Sequence, residues 1–226
     1  MSGLIAVVIP ALDAARTLEA VVRAARDALP LATVVVVDDG SSDDTPAIAR
    51  AMADAVLTFD RNRGKGAALR AGIACALSRG ADVVVTIDAD GQHDPAAAPR
   101  LVAALDSADI ALGTRQRAGS AMPLRRRITN ALASAAVGAI AGASIGDSQS
   151  GFRAIRRRVL EEIRPLGDRY EYETDLLLRA ARAGFRISGV PVTTVYGGAA
   201  ASHFRGLSDT MRVVRTIWRH RAGAFR

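Results

Sequence analysis

The sequence predicts an α/β domain built on a mostly parallel sheet flanked by helices. Three observations carry this. Strand-like and helix-like patterns alternate through the first half of the 226 residues, the order expected of βαβ units. The strand patterns are near-continuous runs of Val, Ile and Ala, as strands buried on both faces require. Polar clusters follow those strands at their carboxyl ends, where open parallel sheets bind ligands. The chain is long enough for one domain with a sizeable core. Half of it is hydrophobic and only 4% aromatic, so the core must be built from Ala, Val, Leu and Ile.

The elements follow in order. Leu4–Ile9 reads as a strand and Ala14–Ala28 as a helix, with Asp13 at its N-cap. Val34–Val37 is a strand, and Asp43–Ala53 a helix capped by Ser42 or Asp43. Ala55–Phe59 is a short strand, Lys65–Ser78 a helix, and Asp82–Ile87 a strand. Pro95–Leu105 is a helix and Ile110–Gly113 a strand. The second half is less regular. Leu124–Ile145 looks helical, and the polar loop from Asp147 to Arg153 leads into a short strand. Tyr172–Ala183 is helical and ends at Gly184. Arg186–Val190 and Val192–Tyr196 are strand-like, broken by Pro191. A final helix spans Ser208–Arg221. It carries Leu207, Met211, Val214, Ile217 and Trp218 on one stripe, with Arg212, Arg215, Arg219 and Arg221 largely off it. Such a helix is either a membrane-surface element or a helix packed on the domain with a solvated basic face. No repeat and no linker interrupts the chain, so residues 1–226 read as a single domain with 203–226 as its basic amphipathic C-terminal element.

The formal net charge is +7, and of 30 basic residues only Lys65 is a lysine. Arginine favours bidentate contact with phosphates. Nucleic acid, an anionic membrane and phosphorylated substrates are compatible with this charge, and so is a simple compositional bias. No aromatic platform accompanies the arginines, which argues against nucleic acid. Cys75 is alone and supports no disulfide framework. Leu4–Pro10 has no charged segment before it and reads as a strand rather than a signal peptide. Ala131–Ile145 is too short and too weakly apolar to span a bilayer. The expectation is a soluble or peripheral protein.

The run Val83-Val84-Val85-Thr86-Ile87 ends in Asp88-Ala89-Asp90-Gly91-Gln92. Residues two apart on an extended chain point the same way, so both carboxylates are expected to face one point. Two hard carboxylates and a Gln amide oxygen suit Mg²⁺ or Mn²⁺ rather than zinc. Asp38-Asp39-Gly40-Ser41 ends another strand in paired acids, suited to a base N–H or a ribose hydroxyl. Gly64-Lys65-Gly66 opens a helix, where backbone N–H groups and one ammonium favour an anion. It lacks the P-loop spacing. Glu173 and Asp175 are candidate general bases at the start of a helix. His203, in Ser202-His203-Phe204-Arg205, can reach a metal or diphosphate from a loop hinged at Gly197 and Gly198.

The set Val8-Ile9-Pro10-Ala11, Val37-Asp38-Asp39-Gly40-Ser41, Gly64-Lys65-Gly66, Asp88-Ala89-Asp90-Gly91-Gln92, Gly113-Thr114-Arg115 and Ser150-Gly151-Phe152-Arg153 resembles the family 2 glycosyltransferases. Within that family it is similar to the dolichyl- or polyprenyl-phosphate hexosyltransferase group. Each motif is weak alone; six in order, over nearly the whole chain, are specific. The resemblance implies the GT-A nucleotide-diphospho-sugar fold, with a Rossmann-like sheet flanked by helices. It implies transfer of a hexose, mannose or glucose, from GDP-mannose or UDP-glucose with Mg²⁺ or Mn²⁺. By position, Pro10, Ala11, Asp38 and Asp39 match nucleoside-binding residues, and Asp88, Asp90 and Gln92 match the metal and diphosphate positions. Asp13 and Lys65 join the nucleotide-sugar set, and His203 the metal set. Arg115 and the Arg125, Arg126 and Arg127 cluster lie where such enzymes handle an acceptor phosphate, and Arg205 is grouped with them. Asp90, Arg115, Glu173 and Asp175 are the candidate catalytic residues. The family usually shows Asn-Glu after its first strand, where this chain has Asp13-Ala14. The C-terminal membrane helices frequent in the group are not seen, so docking at the cytoplasmic face of the membrane is expected to be peripheral or supplied by a separate anchoring partner.

A hydroxyl acceptor needs a general base. A lipid phosphate does not, because a phosphate monoester with a second pKa of about 6 is mostly dianionic at pH 7. The leading expectation is therefore an inverting, metal-dependent hexosyltransferase acting on polyprenyl phosphate. The alternatives are the same fold acting on a soluble or cell-envelope hydroxyl, a nucleotidyltransferase on a related fold, and a non-catalytic nucleotide-sugar- or membrane-binding protein. A nucleotidyltransferase would carry a Gly-rich basic loop directly after the first strand, unlike Pro10-Ala11-Leu12-Asp13.

Overall fold

The computed structural model describes residues 3–115, 134, 135, 138, 139, 150–193, 212, 214–216 and 218, with Arg115 described by its backbone. Seven strands form one sheet: β1 (Ile5–Ala11), β2 (Thr33–Asp38), β3 (Ala55–Thr58), β4 (Val83–Thr86), β5 (Ile110–Arg115), β6 (Arg153–Arg156) and β7 (Ile187–Val192). The helices are α1 (Leu18–Ala28), α2 (Thr45–Met52), α3 (Lys65–Ser78), α4 (Ala98–Ala104), α5 (Arg157–Glu162) and α6 (Glu171–Arg182), with a 3₁₀ turn at Pro95–Ala97 before α4. The strand order is β3-β2-β1-β4-β6-β5-β7. All strands but β6 run in the same direction; β6 is antiparallel to both β4 and β5.

Alternation along the strands builds two cores. Val8, Val35, Val37, Val84, Ile110 and Leu112 face α3, α5 and α6. Val7, Ile9, Val34, Val36, Val85 and Ala111 face α1, α2 and α4. Burial on both faces explains the near-continuous Val runs. With few aromatics available, close approach replaces bulk. A Cβ on Gly72 of α3 would lie 2.5 Å from Val8 Cγ1 and 2.9 Å from Val37 Cγ2.

Part of the arginine excess belongs to this scaffold. The last carbonyls of a helix lack intrahelical partners, and a cation there also favours the helix dipole. Arg26 donates to Met52 O at the end of α2 at 2.9 and 3.2 Å. Arg157 donates to Leu77 O near the end of α3 at 3.3 Å, and Arg164 to Leu160 O of α5 at 2.6 Å. Arg156 donates to Leu105 O just past α4.

Several boundaries differ from expectation for identifiable reasons. Asp13 does not cap α1, which begins at Leu18 after Thr17. It has φ +46°, and its carboxylate is held by Ser42. Helix α2 begins at Thr45 rather than Asp43; Asp43 instead accepts the Thr45 N–H at 2.9 Å. Pro191 does not break β7. Among the described residues that strand pairs only with β5, and an edge strand tolerates a residue without an N–H. Helix α5 has no counterpart in the sequence reading, because six residues opening with Arg157-Arg158 show no helical period. The expected helices over 124–145 and 208–221 lie mostly outside the described residues. Those described within them, 134, 135, 138, 139, 212, 214–216 and 218, are helical.

Gly72→Ala tests the close approach of α3. The extra methyl overpacks against two valines at about 1–3 kcal/mol, against about 1 kcal/mol gained in helix propensity. The urea midpoint is expected to fall; an unchanged or raised midpoint contradicts this packing.

Candidate active site

The sheet reverses its winding between β1 and β4, with β2 and β3 on one side and the remaining strands on the other. Ligands of open α/β sheets bind outside the carboxyl ends of the strands at such a point. Pro10 and Ala11 end β1, Asp38 ends β2 and Asp39 follows it, and Asp88 lies two residues past β4. Gly113, Thr114 and Arg115 end β5 on the same edge. Because β6 is antiparallel, Ser150-Gly151-Phe152 enters at this edge as well.

Asp38 and Asp39 are both buried. Asp38 accepts the Ser41 N–H at 3.0 Å. Asp39 accepts the N–H groups of Arg63 at 2.7 Å and Gly64 at 2.9 Å, so it joins the end of β2 to the loop before α3. Burial holds its carboxyl above the usual range, against those two hydrogen bonds and the nearby Arg169. Ala11 O accepts the Asp39 N–H at 2.8 Å. Asp13 is exposed; it accepts from the Ser42 N–H at 2.8 Å and hydroxyl at 3.1 Å, and donates its own N–H to Ser41 Oγ at 2.9 Å.

Lys65 opens α3 with its ammonium already paired to two carboxylates. Its ammonium lies 2.7 Å from Asp88 Oδ1 and 3.1 Å from Glu173 Oε2, and 5.7 Å from the Tyr170 ring centroid. Burial works against its charge, but Asp88 and then Glu173 outweigh it, and its pKa is raised above the ordinary lysine value. The flanking glycines allow the 168–172 segment to approach. A Cβ on Gly64 would lie 2.4 Å from Asp168 O, and one on Gly66 2.6 Å from Tyr172 Cβ. Two amides at this helix start are already engaged, Gly64 N with Asp39 and Ala67 N with Asp168 O at 3.0 Å.

Glu173 and Asp175 do not share a site. Residues two apart on a helix point to nearly opposite sides. Glu173 faces Lys65 and Asp88. Asp175 accepts the Leu166 N–H at 2.7 Å and Arg179 Nε at 2.6 Å, which fits an anchor for the 166 loop and not a general base beside Asp88. Arg153 is a further member that the sequence reading quoted in a motif without a role. It is 1% exposed. Its guanidinium donates to Ser150 O at 2.8 Å and to the Glu173 carbonyl at 3.2 Å, and lies 3.5 Å from Glu173 Oε1. A charge among the apolar neighbours Phe152, Ala154 and Ile155 was the available signal, since buried charges require partners.

The expected alignment of Asp88 and Asp90 on an extended strand does not hold, because β4 ends at Thr86 and residues 89–90 form a turn. Asp90 Oδ1 accepts the Gln92 N–H at 3.0 Å, and Gly91 has φ +71°. The donor chemistry still fits a hard divalent cation: two carboxylates and an amide oxygen within one turn. A positive charge, the Lys65 ammonium, already stands at Asp88. Glycine at 151 also keeps that carboxylate clear, since a Cβ there would lie 2.3 Å from Asp88 Oδ2. Among the described residues no group of three or more His, Cys, Asp or Glu side chains could hold a metal. Further ligands would come from substrate oxygens, water or residues outside that set. His203, Arg125, Arg126, Arg127, Arg205 and the Arg115 side chain lie outside the described residues.

The sequence profile described as "Glycosyl transferase family 2" matches residues 6–164. The chain belongs to glycosyl transferase family 2. It is 37% identical over 200 residues to a polyprenol monophosphomannose synthase of Mycolicibacterium smegmatis, covering 83% of this chain and 76% of that one. It is 36% identical over 201 residues to an undecaprenyl-phosphate mannosyltransferase of Micrococcus luteus, covering 83% and 82%. Among solved structures it is similar to glucosyl-3-phosphoglycerate synthase from Mycobacterium tuberculosis in complex with Mn²⁺ and UDP-glucose. That match has a TM-score of 0.77 and 25% identity, and covers 98% of this chain and 80% of that one. This glycosyltransferase has the GT-A fold, and its family motifs gather at one edge of the sheet.

Two groups give this region an alkaline limit. Burial pushes the Tyr172 hydroxyl up to about 12, and the Lys65 ammonium is also held above its ordinary value. A raised pKa means that the folded chain binds the proton more tightly, so the stability is complete below the unfolded value and is lost as pH rises through the folded one. The urea midpoint is expected to fall from about pH 10 towards pH 12, and Tyr172→Phe is expected to make that fall shallower. A flat or rising midpoint over that window contradicts the assignment.

Proposed function

We propose that this glycosyltransferase transfers a hexose, mannose or glucose, from GDP-mannose or UDP-glucose to a polyprenyl phosphate, by a single displacement with inversion. The observation that carries the donor half is the Lys65–Asp88 ion pair at the sheet's switch point, two residues before Asp90. The two polyprenyl-phosphate mannosyltransferase relatives support the acceptor half.

Asp88 and Asp90 hold Mg²⁺ or Mn²⁺ in this reading, with the Gln92 amide and His203 as further ligands. Bound there, the ion supplies positive charge to the departing nucleoside diphosphate. Pro10, Ala11, Asp13, Asp38 and Asp39 form the nucleoside side of the pocket. Lys65 is a second cation at the diphosphate, with Glu173 and Arg153 fixing its position. The acceptor phosphate needs cations rather than a base, and Arg115, Arg125, Arg126, Arg127 and Arg205 are assigned to it. Glu173 is already engaged by two cations, which favours this reading over a hydroxyl acceptor with Glu173 as its base.

The place of action is the membrane surface. No helix among the described residues is long and apolar enough to cross a membrane. In the terminal helix Thr216 is buried, whereas Val214 is 48% and Trp218 69% exposed. An apolar pair turned outward beside exposed Arg215 supports a peripheral lipid contact over a helix whose apolar stripe packs inward. Arg212, 3.6 Å from Glu171, ties this helix to α6. A separate anchoring protein remains compatible with this arrangement.

Transfer of labelled hexose from each donor to a short polyprenyl phosphate tests the reading, with Mn²⁺ or EDTA and with Asp90→Ala. Metal-dependent label in the lipid, reduced at least about 100-fold in the variant, is expected. Trp218→Asp is expected to slow transfer to acceptor in anionic vesicles but not to detergent-dispersed acceptor. Donor hydrolysis without labelled lipid would remove the acceptor assignment and restore the hydroxyl alternative.

A further inference from the structure

We infer that Thr17 is a positioning residue for the Asp88–Asp90 turn, and that residues 13–17 form a strap joining this turn to the β2–α2 loop. The inference rests on the reading that Asp88 and Asp90 hold a divalent cation. After β1 the chain crosses two loops before α1 begins. Its backbone is bonded to the first of them residue by residue. The N–H of Asp13 goes to Ser41 Oγ, that of Ala14 to Thr45 Oγ1 at 2.7 Å, and that of Ala15 to Asp43 Oδ2 at 3.0 Å. The Asp13 carboxylate returns two bonds from Ser42. The strap then reaches the second loop through Thr17. Thr17 Oγ1 donates to Ala89 O at 2.6 Å, the carbonyl between the two carboxylates.

That contact controls orientation. Ala89 O belongs to the Ala89–Asp90 peptide plane, so rotation of the plane re-aims the Asp90 backbone and its side chain. Ala89 is buried, and a carbonyl there without a donor is destabilising. Gly91 follows at φ +71°, and glycine, with no Cβ, lends the turn little stiffness of its own. A Cβ added at Gly91 would lie 3.9 Å from Thr17 Cγ2, so the Thr17 methyl flanks this position. Thr17 therefore holds the start of the turn through its hydroxyl and stands beside Gly91 with its methyl. It touches no substrate atom, and its hydroxyl acts through Ala89. Because the strap is bonded to Ser41, Ser42, Asp43 and Thr45, the nucleoside side and the cation side of the site share one rigid connection.

Mn²⁺ affinity of the full chain without nucleotide, read from free Mn²⁺ by electron paramagnetic resonance, tests this. Thr17→Val keeps the shape and removes the donor; Thr17→Ser keeps the donor. The expected result is binding weakened about fivefold in Thr17→Val, the typical worth of one hydrogen bond, and affinity within about twofold of wild type in Thr17→Ser. Equal affinity in wild type and Thr17→Val overturns the inference. Equal weakening in both variants also overturns it, since shape rather than the hydroxyl would then be responsible. Asp90→Ala separates this from failure of the underlying reading. If wild type and Asp90→Ala bind alike, the cation site itself is wrong and the positioning role falls with it.

Discussion

One ammonium joins three parts of the chain that are remote in sequence. Lys65 opens α3, Asp88 follows β4 and Glu173 lies in α6, and the first lies within 3.1 Å of both of the others. Burying such charges is unfavourable unless each is paired and hydrogen-bonded, so the surroundings are arranged around the pairing. Arg153 supplies a second cation to Glu173 from β6. Gly64 and Gly66 let the start of α6 approach α3, and Gly151 leaves room for the Asp88 carboxylate. The first turn of α6 is consequently buried although it carries Glu171 and Glu173. Acidic residues there also complement the positive end of the helix.

The sheet makes this hub useful. Parallel strands deliver their ends to one edge, and the reversal between β1 and β4 opens a crevice there. Asp39 and the Asp13–Thr17 strap bind the loops around that crevice to one another through backbone groups. Most of the charge in the site is thus set before a substrate arrives, which is the condition for electrostatic stabilisation of a leaving group.

Much of this was legible in the sequence, and the reasons it stopped being legible are physical. The Val runs gave β1, β2 and β4 because burial on both faces leaves one residue class. Asp38-Asp39 and Asp88-Ala89-Asp90 were visible because acids directly after buried strands have no role in a core. What failed were inferences that assumed local geometry continues. Asp88 and Asp90 were aligned on a strand that ends at Thr86, and Asp13 was made a cap for a helix that starts at Leu18. The sequence also does not show that Lys65 is paired with the Asp88 and Glu173 carboxylates, which come from remote parts of the chain. Thr17 has no sequence signal, since its partner is a backbone carbonyl 72 residues away. Helix α5 is legible only after its arginines are seen bonded to Leu77 and Asp109.

In the proposed reaction the Asp88 carboxylate is a cation site held by Lys65 and shared with a metal-bound donor. A crystal structure of the chain with Mn²⁺ and GDP or UDP, with anomalous scattering recorded at the manganese edge, tests it most directly. The account predicts a manganese peak on the Asp88 and Asp90 carboxylates, with the diphosphate beside Lys65 and the nucleoside against Asp38 and Asp39. A peak elsewhere, or a nucleotide bound away from this sheet edge, would contradict it.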